Sequence, residues 1–261
     1  IDLHYTCNEI IKNEKSINDF ILKLNGAFLI LIINKNDLSF KFINDRFNGV
    51  HFYWANLNKT FVGSYLYFDI FKKIRSEKNF QLNQNSMMQF LWMSRVMDDE
   101  THDNFTKYLM PASILSINEN NYDLYQYFLP KFNKIKRTKK EAGEEYIKLL
   151  SQSMKRLTSD KDKKKYCYFF SSGLDSRTVS SAINKNGKNS TAMTVAFSEN
   201  LEVKYAREAA LCAGSKHEFL NLSKDHLEKN FLKNVEICGG LYATHDALFT
   251  GLYQKVKKIG N

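Results

Sequence analysis

The apolar residues of this 261-residue chain change period part-way along, and that change limits the folds open to it. Residues 24–33 are too short and too β-branched a run for a confident helix, Asn34-Lys35-Asn36-Asp37 supplies a turn, and residues 38–43 alternate apolar with polar. That is a hairpin pattern. Residues 52–54 and 60–62 repeat it around Ala55-Asn56-Leu57-Asn58, and residues 113–117 and 122–128 around Asn118-Glu119-Asn120-Asn121. Residues 85–96, rich in Met, Leu and Gln, read as a helix, as do residues 5–11. The first half is therefore mostly antiparallel strand.

The second half follows another rhythm. From Glu144 onward, Tyr146, Leu149, Leu150, Met154 and Leu157 recur at steps of three and four, the mark of an amphipathic helix. Strand-like residues 166–170, 191–197 and 219–222 then alternate with helical residues 175–184, 203–213, 227–237 and 247–258. Such alternation predicts a doubly wound parallel sheet, so the class is α/β. The expected division is a domain over residues 1–130, a basic linker and helix over 131–165, and a second domain over 166–261.

A chain with 43% apolar and 25% charged residues can bury a core, which excludes intrinsic disorder. Its longest apolar run, Gly26 to Ile33, is far short of the roughly 20 residues that cross a bilayer. With no secretory leader pattern either, the expectation is a soluble, cytoplasmic protein without a membrane partner. The net charge of +10 raises nucleic acid as a partner, but residues 131–165 alone hold 13 basic against 5 acidic side chains. Confined there, the excess reads as a solvated linker rather than a phosphate-backbone footprint. Cys7, Cys167, Cys212 and Cys238 are far apart, as are the six His, so neither a disulfide frame nor a metal cage of protein ligands is expected.

The chemistry concentrates where Tyr166-Cys167-Tyr168-Phe169-Phe170 runs into Ser171-Ser172-Gly173-Leu174-Asp175-Ser176-Arg177 and then a helix. Small residues let the backbone turn tightly after a buried strand, and the free N–H groups of the helix converge on one spot. Backbone donors at the positive helix end suit an anion such as phosphate. Ser171, Ser172 and Ser176 add hydroxyls, and Asp175 can cap the helix. The spacing matches neither the Walker A loop nor the Rossmann glycine pattern, and an ordinary capped turn is the plain alternative.

The loop resembles the Ser-Gly-Gly-x-Asp-Ser loop of the ATP pyrophosphatases, in the version found in asparagine synthetases. Around it, Arg156-Leu157-Thr158-Ser159-Asp160, then Thr194-Val195-Ala196-Phe197 with Glu202, Tyr205-Ala206-Arg207 and Ala210, then Gly214-Ser215-Lys216-His217, are similar to the same family in the same order. The first half resembles its glutamine amidotransferase domain at Leu24-Asn25-Gly26-Ala27-Phe28, at residues 45–53 beginning Asp45-Arg46-Phe47-Asn48-Gly49, and at Leu109-Met110-Pro111-Ala112-Ser113.

The resemblance implies a partial Ntn-type antiparallel sandwich followed by a partial ATP-pyrophosphatase domain. It implies an amide ligase that adenylates the aspartate carboxylate with ATP and Mg²⁺, after which ammonia from glutamine displaces AMP. A peptide- or lactam-cyclising relative and a non-catalytic nucleotide-binding module are the alternatives. The small-molecule partners would be aspartate or another carboxylate and glutamine or ammonia, with a homodimer as the candidate assembly. Ser171, Ser172, Gly173, Leu174, Asp175 and Ser176 would hold the pyrophosphate, and Phe170 and Val195 would line the adenine pocket. Asp175 would order the loop, with contact to Mg²⁺ as its second role. His245 and Asp246 could approach the acceptor.

Three departures from the family pattern stand out. Ser172 replaces a usual Gly and puts a Cβ into a turn that needs φ > 0 if the family geometry holds. The match starts inside the amidotransferase domain, past its N-terminal Cys nucleophile, and Cys7 reads as a packed thiol. It also stops before the family's second phosphate loop, so the sequence reads as a segment of a longer chain.

Overall fold

The computed structural model describes residues 16–58, 60–76, 80–119, 121–159, 165–185, 190–243 and 247–260. The chain divides into two compact units, one of Ile1–Phe132 with Val235–Ala243 and one of Asn133–Asn234 with Thr244–Asn261. The Cys7 reading, the helix expected over residues 5–11, and His245 with Asp246 lie outside the described residues.

The first unit holds helices α1 (Ser16–Ile21), α2 (Tyr67–Ser76) and α3 (Gln84–Met93). Its strands are β1 (Leu29–Ile33), β2 (Phe40–Asn44), β3 (Tyr53–Leu57), β4 (Thr60–Ser64), β5 (Lys107–Tyr108), β6 (Ser113–Ile117) and β7 (Tyr122–Gln126). They form an antiparallel sheet in the order β1-β2-β6-β7 and a second in the order β4-β3-β5. Alternation along each strand gives each sheet two faces. Phe42, Leu115 and Ile117 of the first sheet share a core with Trp54 and Phe61 of the second. Ile43 and Ile114 turn the other way, onto Ile17 and Ile21 of α1. Tyr53 and Ala55 pack on Tyr67, Ile70 and Ile74 of α2. The layers therefore run helix, sheet, sheet, helix.

The helices of this unit depart from the sequence reading. Helix α3 stops at Met93 rather than Val96, because Ser94 takes a left-handed conformation (φ 56°) and closes the helix with its N–H on the Phe90 carbonyl. The sequence reading places no helix at α1 or at α2. Gly239 belongs to this unit too: at φ +66° a side chain there would be strained, and its Cβ would come 2.8 Å from Tyr67 Cβ.

The second unit contains α4 (Lys139–Leu157), β8 (Tyr166–Phe169), α5 (Leu174–Lys185), β9 (Ser190–Ala196), α6 (Leu201–Cys212), β10 (Lys216–Asn221), most of α7 (His226–Cys238), and α8 (Tyr253–Gly260). The strands form a parallel sheet in the order β10-β9-β8, with His217 opposite Ala192 and Tyr168 opposite Ala192 on the other side. One face, through Tyr168, Phe170 and Ala192, packs on Ala206, Ala209 and Ala210 of α6. The opposite face, through Cys167, Met193, Val195 and Leu220, packs on Leu252, Val256 and Ile259. Helices thus cover both faces, and the mixed α/β class read from the sequence is observed.

Boundaries shift where caps and turns were not read. Helix α4 begins at Lys139 rather than Glu144, since Thr138 and Glu141 form a reciprocal capping box. Its amphipathic stripe buries no residue. Helix α8 begins at Tyr253 rather than Ala247. Gly251 interrupts the run at φ +83°, where a Cβ would meet Asn230 Oδ1 at 2.5 Å.

Candidate nucleotide site

Strand β8 ends at Phe169, but its ladder continues one residue further. Phe170 N–H donates to the Met193 carbonyl at 2.8 Å, and the Thr194 hydroxyl donates to the Phe170 carbonyl, also at 2.8 Å. Both bonds go to β9, so Phe170, 4% exposed, is held from both sides of its own Cα. The loop 171–173 follows and α5 starts at Leu174.

Ser171 organises this loop. Its Oγ accepts from the Gly173 N–H at 3.2 Å and lies 3.0 Å from Ser176 Oγ across the turn. One hydroxyl proton closes that pair, which leaves the other hydroxyl free to donate outward. The first N–H groups of a helix have no partner within it, and they carry the positive end of its dipole. Neither Ser172 nor Gly173 has a positive φ. The left-handed turn expected at Ser172 is therefore not required, because the chain enters α5 without it. No hydrogen bond of the Asp175 carboxylate occurs among the described residues. The loop-ordering contacts belong to Ser171 instead.

A cavity of about 280 Å³ opens at this carboxyl end of the sheet, at the lower bound of the roughly 300–1,000 Å³ usual for small-molecule sites. Phe170 and Val195, expected to contact adenine, line it together with Ser171 and Ser176, expected to contact phosphate. Ser172, Gly173, Leu174 and Asp175 lie on the loop and first helical turn without lining it, and Leu174 is 71% exposed. Met193, Thr194, Glu202 and Phe249 also line it. Phe249 packs edge-on against Phe169, with ring centroids 4.7 Å apart. The carboxyl ends of parallel strands are where open α/β sheets bind ligands. An apolar slot bounded by hydroxyls and a helix N-terminus can take a flat aromatic base at one end and phosphates at the other.

Of the other family-matched residues, Arg207 pairs with Glu199 at 2.6 Å, and His217 Nε2 lies 2.9 Å from Thr194 Oγ1. Burial, and secondarily the Arg207 guanidinium, hold the His217 imidazole below its ordinary value. Among the described residues no cluster of His, Cys, Asp or Glu could hold a metal ion by itself. No described helix is long and apolar enough to cross a membrane.

Residues 145–260 match the asparagine synthase family. The match takes in the phosphate-loop candidate, the residues that line the cavity, and His217. Among solved structures, NMN synthetase from Francisella tularensis is similar over 45% of this chain at 15% identity and a TM-score of 0.34. This chain spans 51% of that protein's length, and so slight a likeness has no bearing on function. No curated protein matches the chain.

Glu202, one of the residues matched to the family in the sequence, lines the cavity from two residues after the Asn200 cap of α6. Phe249 carries no such signal: it reaches the cavity from a turn far along the chain. Thr194 and Met193 come to it through the register of β9 against β8.

Proposed function

We propose that the second unit is the nucleotide-binding part of an ATP-dependent amide ligase of the asparagine synthetase type. The observation that carries this is the meeting of Phe170, Val195, Ser171 and Ser176 in one cavity at the carboxyl end of the parallel sheet. The base would lie against Phe170 and Val195. The phosphates would face the Ser171 and Ser176 hydroxyls and the first N–H groups of α5.

In the reaction a carboxylate oxygen attacks the α-phosphorus of ATP, the bond to the bridging oxygen breaks, and pyrophosphate leaves. An amine nitrogen then attacks the acyl carbon, loses a proton and expels AMP. Negative charge grows on the departing pyrophosphate, where fixed N–H and O–H donors stabilise it without reorganising. Mg²⁺ supplies further charge neutralisation at the phosphates when bound, and Asp175 is the loop carboxylate that would hold it. This suits an exposed acid beside an anion site, since a bare carboxylate there would repel phosphate.

The finer reading takes aspartate as the carboxylate and glutamine-derived ammonia as the amine, and it rests on the resemblance. The two sheets of the first unit, sharing a core between flanking helices, are compatible with the amidotransferase-like part of that reading. A ring-closing ligase would use the same nucleotide site with a different amine.

The test is pyrophosphate release from ATP·Mg²⁺ by the full-length protein with aspartate and with other carboxylates. Asp175→Ala should slow release at least tenfold, about 1.4 kcal/mol. Release unchanged in that variant would remove Asp175 from the reaction.

A further inference from the structure

One aromatic wall of the cavity, Phe249, comes from neither the sheet nor the phosphate loop. It stands in a turn closed by two backbone bonds, Thr250 N–H to the Ala247 carbonyl at 3.2 Å and Leu252 N–H to the Phe249 carbonyl at 3.3 Å. So short a turn has few bonds of its own, and α7 supplies others. His226, Asn230 and Asn234 recur every four residues, which puts them on one face of that helix. The Leu248 carbonyl can only accept, so His226 Nε2, 3.2 Å away, carries a proton and donates it. Asn234 Nδ2 donates to Thr250 Oγ1 at 3.1 Å. Between these two rungs Asn230 packs against Gly251, where a Cβ would meet its Oδ1 at 2.5 Å. The residues on either side of Phe249 are therefore held by the helix.

Apolar packing seats the same turn on the sheet. Leu248 and Leu252 join Cys167, Met193 and Val195 in the core on one sheet face. Phe169 stands two residues after Cys167 on β8, so it projects to that face too. Phe249 meets Phe169 edge-on, with ring centroids 4.7 Å apart, and both line the cavity. In an edge-on pair each ring keeps at least one face clear of its partner. Phe249, 45% exposed, thus has a ring face to offer in a cavity whose Phe170 and Val195 are assigned to the base. Aromatic rings hold nucleobases by stacking, since every base has a π-face. A phosphate has none, so the ring acts on the base end of the ligand.

We infer that Phe249 contacts the base of the nucleotide, and that His226 and Asn234 are positioning residues that act through it. The inference rests on reading the cavity as the nucleotide pocket. It predicts what a merely structural ladder does not: removing a rung costs base affinity only while Phe249 is present.

The test is calorimetric binding of ATP·Mg²⁺, adenosine and magnesium pyrophosphate to the full chain and its variants. Phe249→Ala should weaken ATP and adenosine about tenfold and leave pyrophosphate within about twofold. His226→Leu and Asn234→Leu each remove a donor and should weaken adenosine about fivefold. His226→Gln keeps an N–H and should bind adenosine within about twofold of the parent. In the Phe249→Ala background, His226→Leu should cost adenosine less than about a further twofold. Phe249→Trp adds a direct reading: its emission should change with adenosine and not with pyrophosphate, against the background of Trp54 and Trp92 in the first unit. Adenosine affinity unchanged in folded Phe249→Ala, equal loss of adenosine and pyrophosphate, emission unmoved by adenosine, or an undiminished loss from His226→Leu without Phe249 would overturn the inference while leaving the pocket intact. A parent protein that binds neither ATP nor adenosine would overturn the pocket and this inference together. If the α7 variants do not fold, Thr250→Val, which takes the Asn234 acceptor from the turn, decides in the same cycle.

Discussion

Replacing Asp45 by Ala should destabilise the first unit by about 3 kcal/mol, and the structure shows why. The side chain is 4% exposed and accepts three backbone donors: Phe28 N–H at 3.1 Å, Phe47 N–H at 3.0 Å and Gly49 N–H at 2.8 Å. It thus ties the turn after β2 to the segment entering β1. Hydrogen bonds to a charged group contribute roughly 1.5–3 kcal/mol each, a ceiling of about 9 for three. Phe47 and Gly49 are exposed, so their N–H groups regain water in the variant and count for a fraction. Phe28 is half-buried and is left with a stranded donor. That brings the loss to about 3 kcal/mol, a large part of the roughly 5–15 kcal/mol by which domains are stable. The assay is urea unfolding followed by tryptophan fluorescence. Trp54 is 3% exposed and reports on the core, whereas Trp92 is 82% exposed and changes little. With a slope of about 2 kcal/mol/M the midpoint should fall by about 1.5 M. Asp45→Asn, which keeps an acceptor without the charge, should lose about half as much. A loss below about 0.5 kcal/mol for Asp45→Ala would refute the reasoning.

Other predictions follow from the loop and from the buried imidazoles. Ser172→Gly should leave ATP affinity within about twofold, because Ser172 occupies no left-handed conformation that Gly would relieve. Calorimetry checks this, and a loss of tenfold or more would instead mean that its hydroxyl contacts the phosphates. His51 and His217 are both held below their ordinary value of 6.5, chiefly by burial. The unfolded chain therefore takes up protons first as pH falls, so their contribution is complete above pH 6.5 and lost below it. Melting temperature should drop between pH 7.5 and 5.5, less so in His217→Gln. An equal drop in both proteins would exclude His217 from the effect.

The parts of the fold legible in the sequence were those fixed by local chemistry. The β1–β2 turn could be read because Asn34 and Asp37 accept from Asn36 and Ser39 within the turn itself. Helix α2 escaped notice because Tyr67, Phe68 and Phe71 are as much strand as helix formers, although its buried Tyr67, Ile70 and Ile74 keep helical spacing. The candidate site divides in the same way. Ser171 and Ser176 are close in sequence and meet across one turn. Phe170 and Val195 were placed through a family resemblance, and it is the parallel register that brings them to one cavity. The link from His217 to Thr194 joins two strands on one face, and nothing in the residues alone announces it.

The central claim, that the loop after β8 and the end of β9 hold ATP, is tested most directly by amide chemical shifts on adding ATP·Mg²⁺ to isotopically labelled protein. The account predicts saturable shifts centred on Phe170, Ser171, Gly173, Ser176 and Val195, with adenosine moving Phe170 and Val195 but sparing the Ser171–Ser176 amides. Shifts confined to other regions, or none at millimolar ATP, would contradict it.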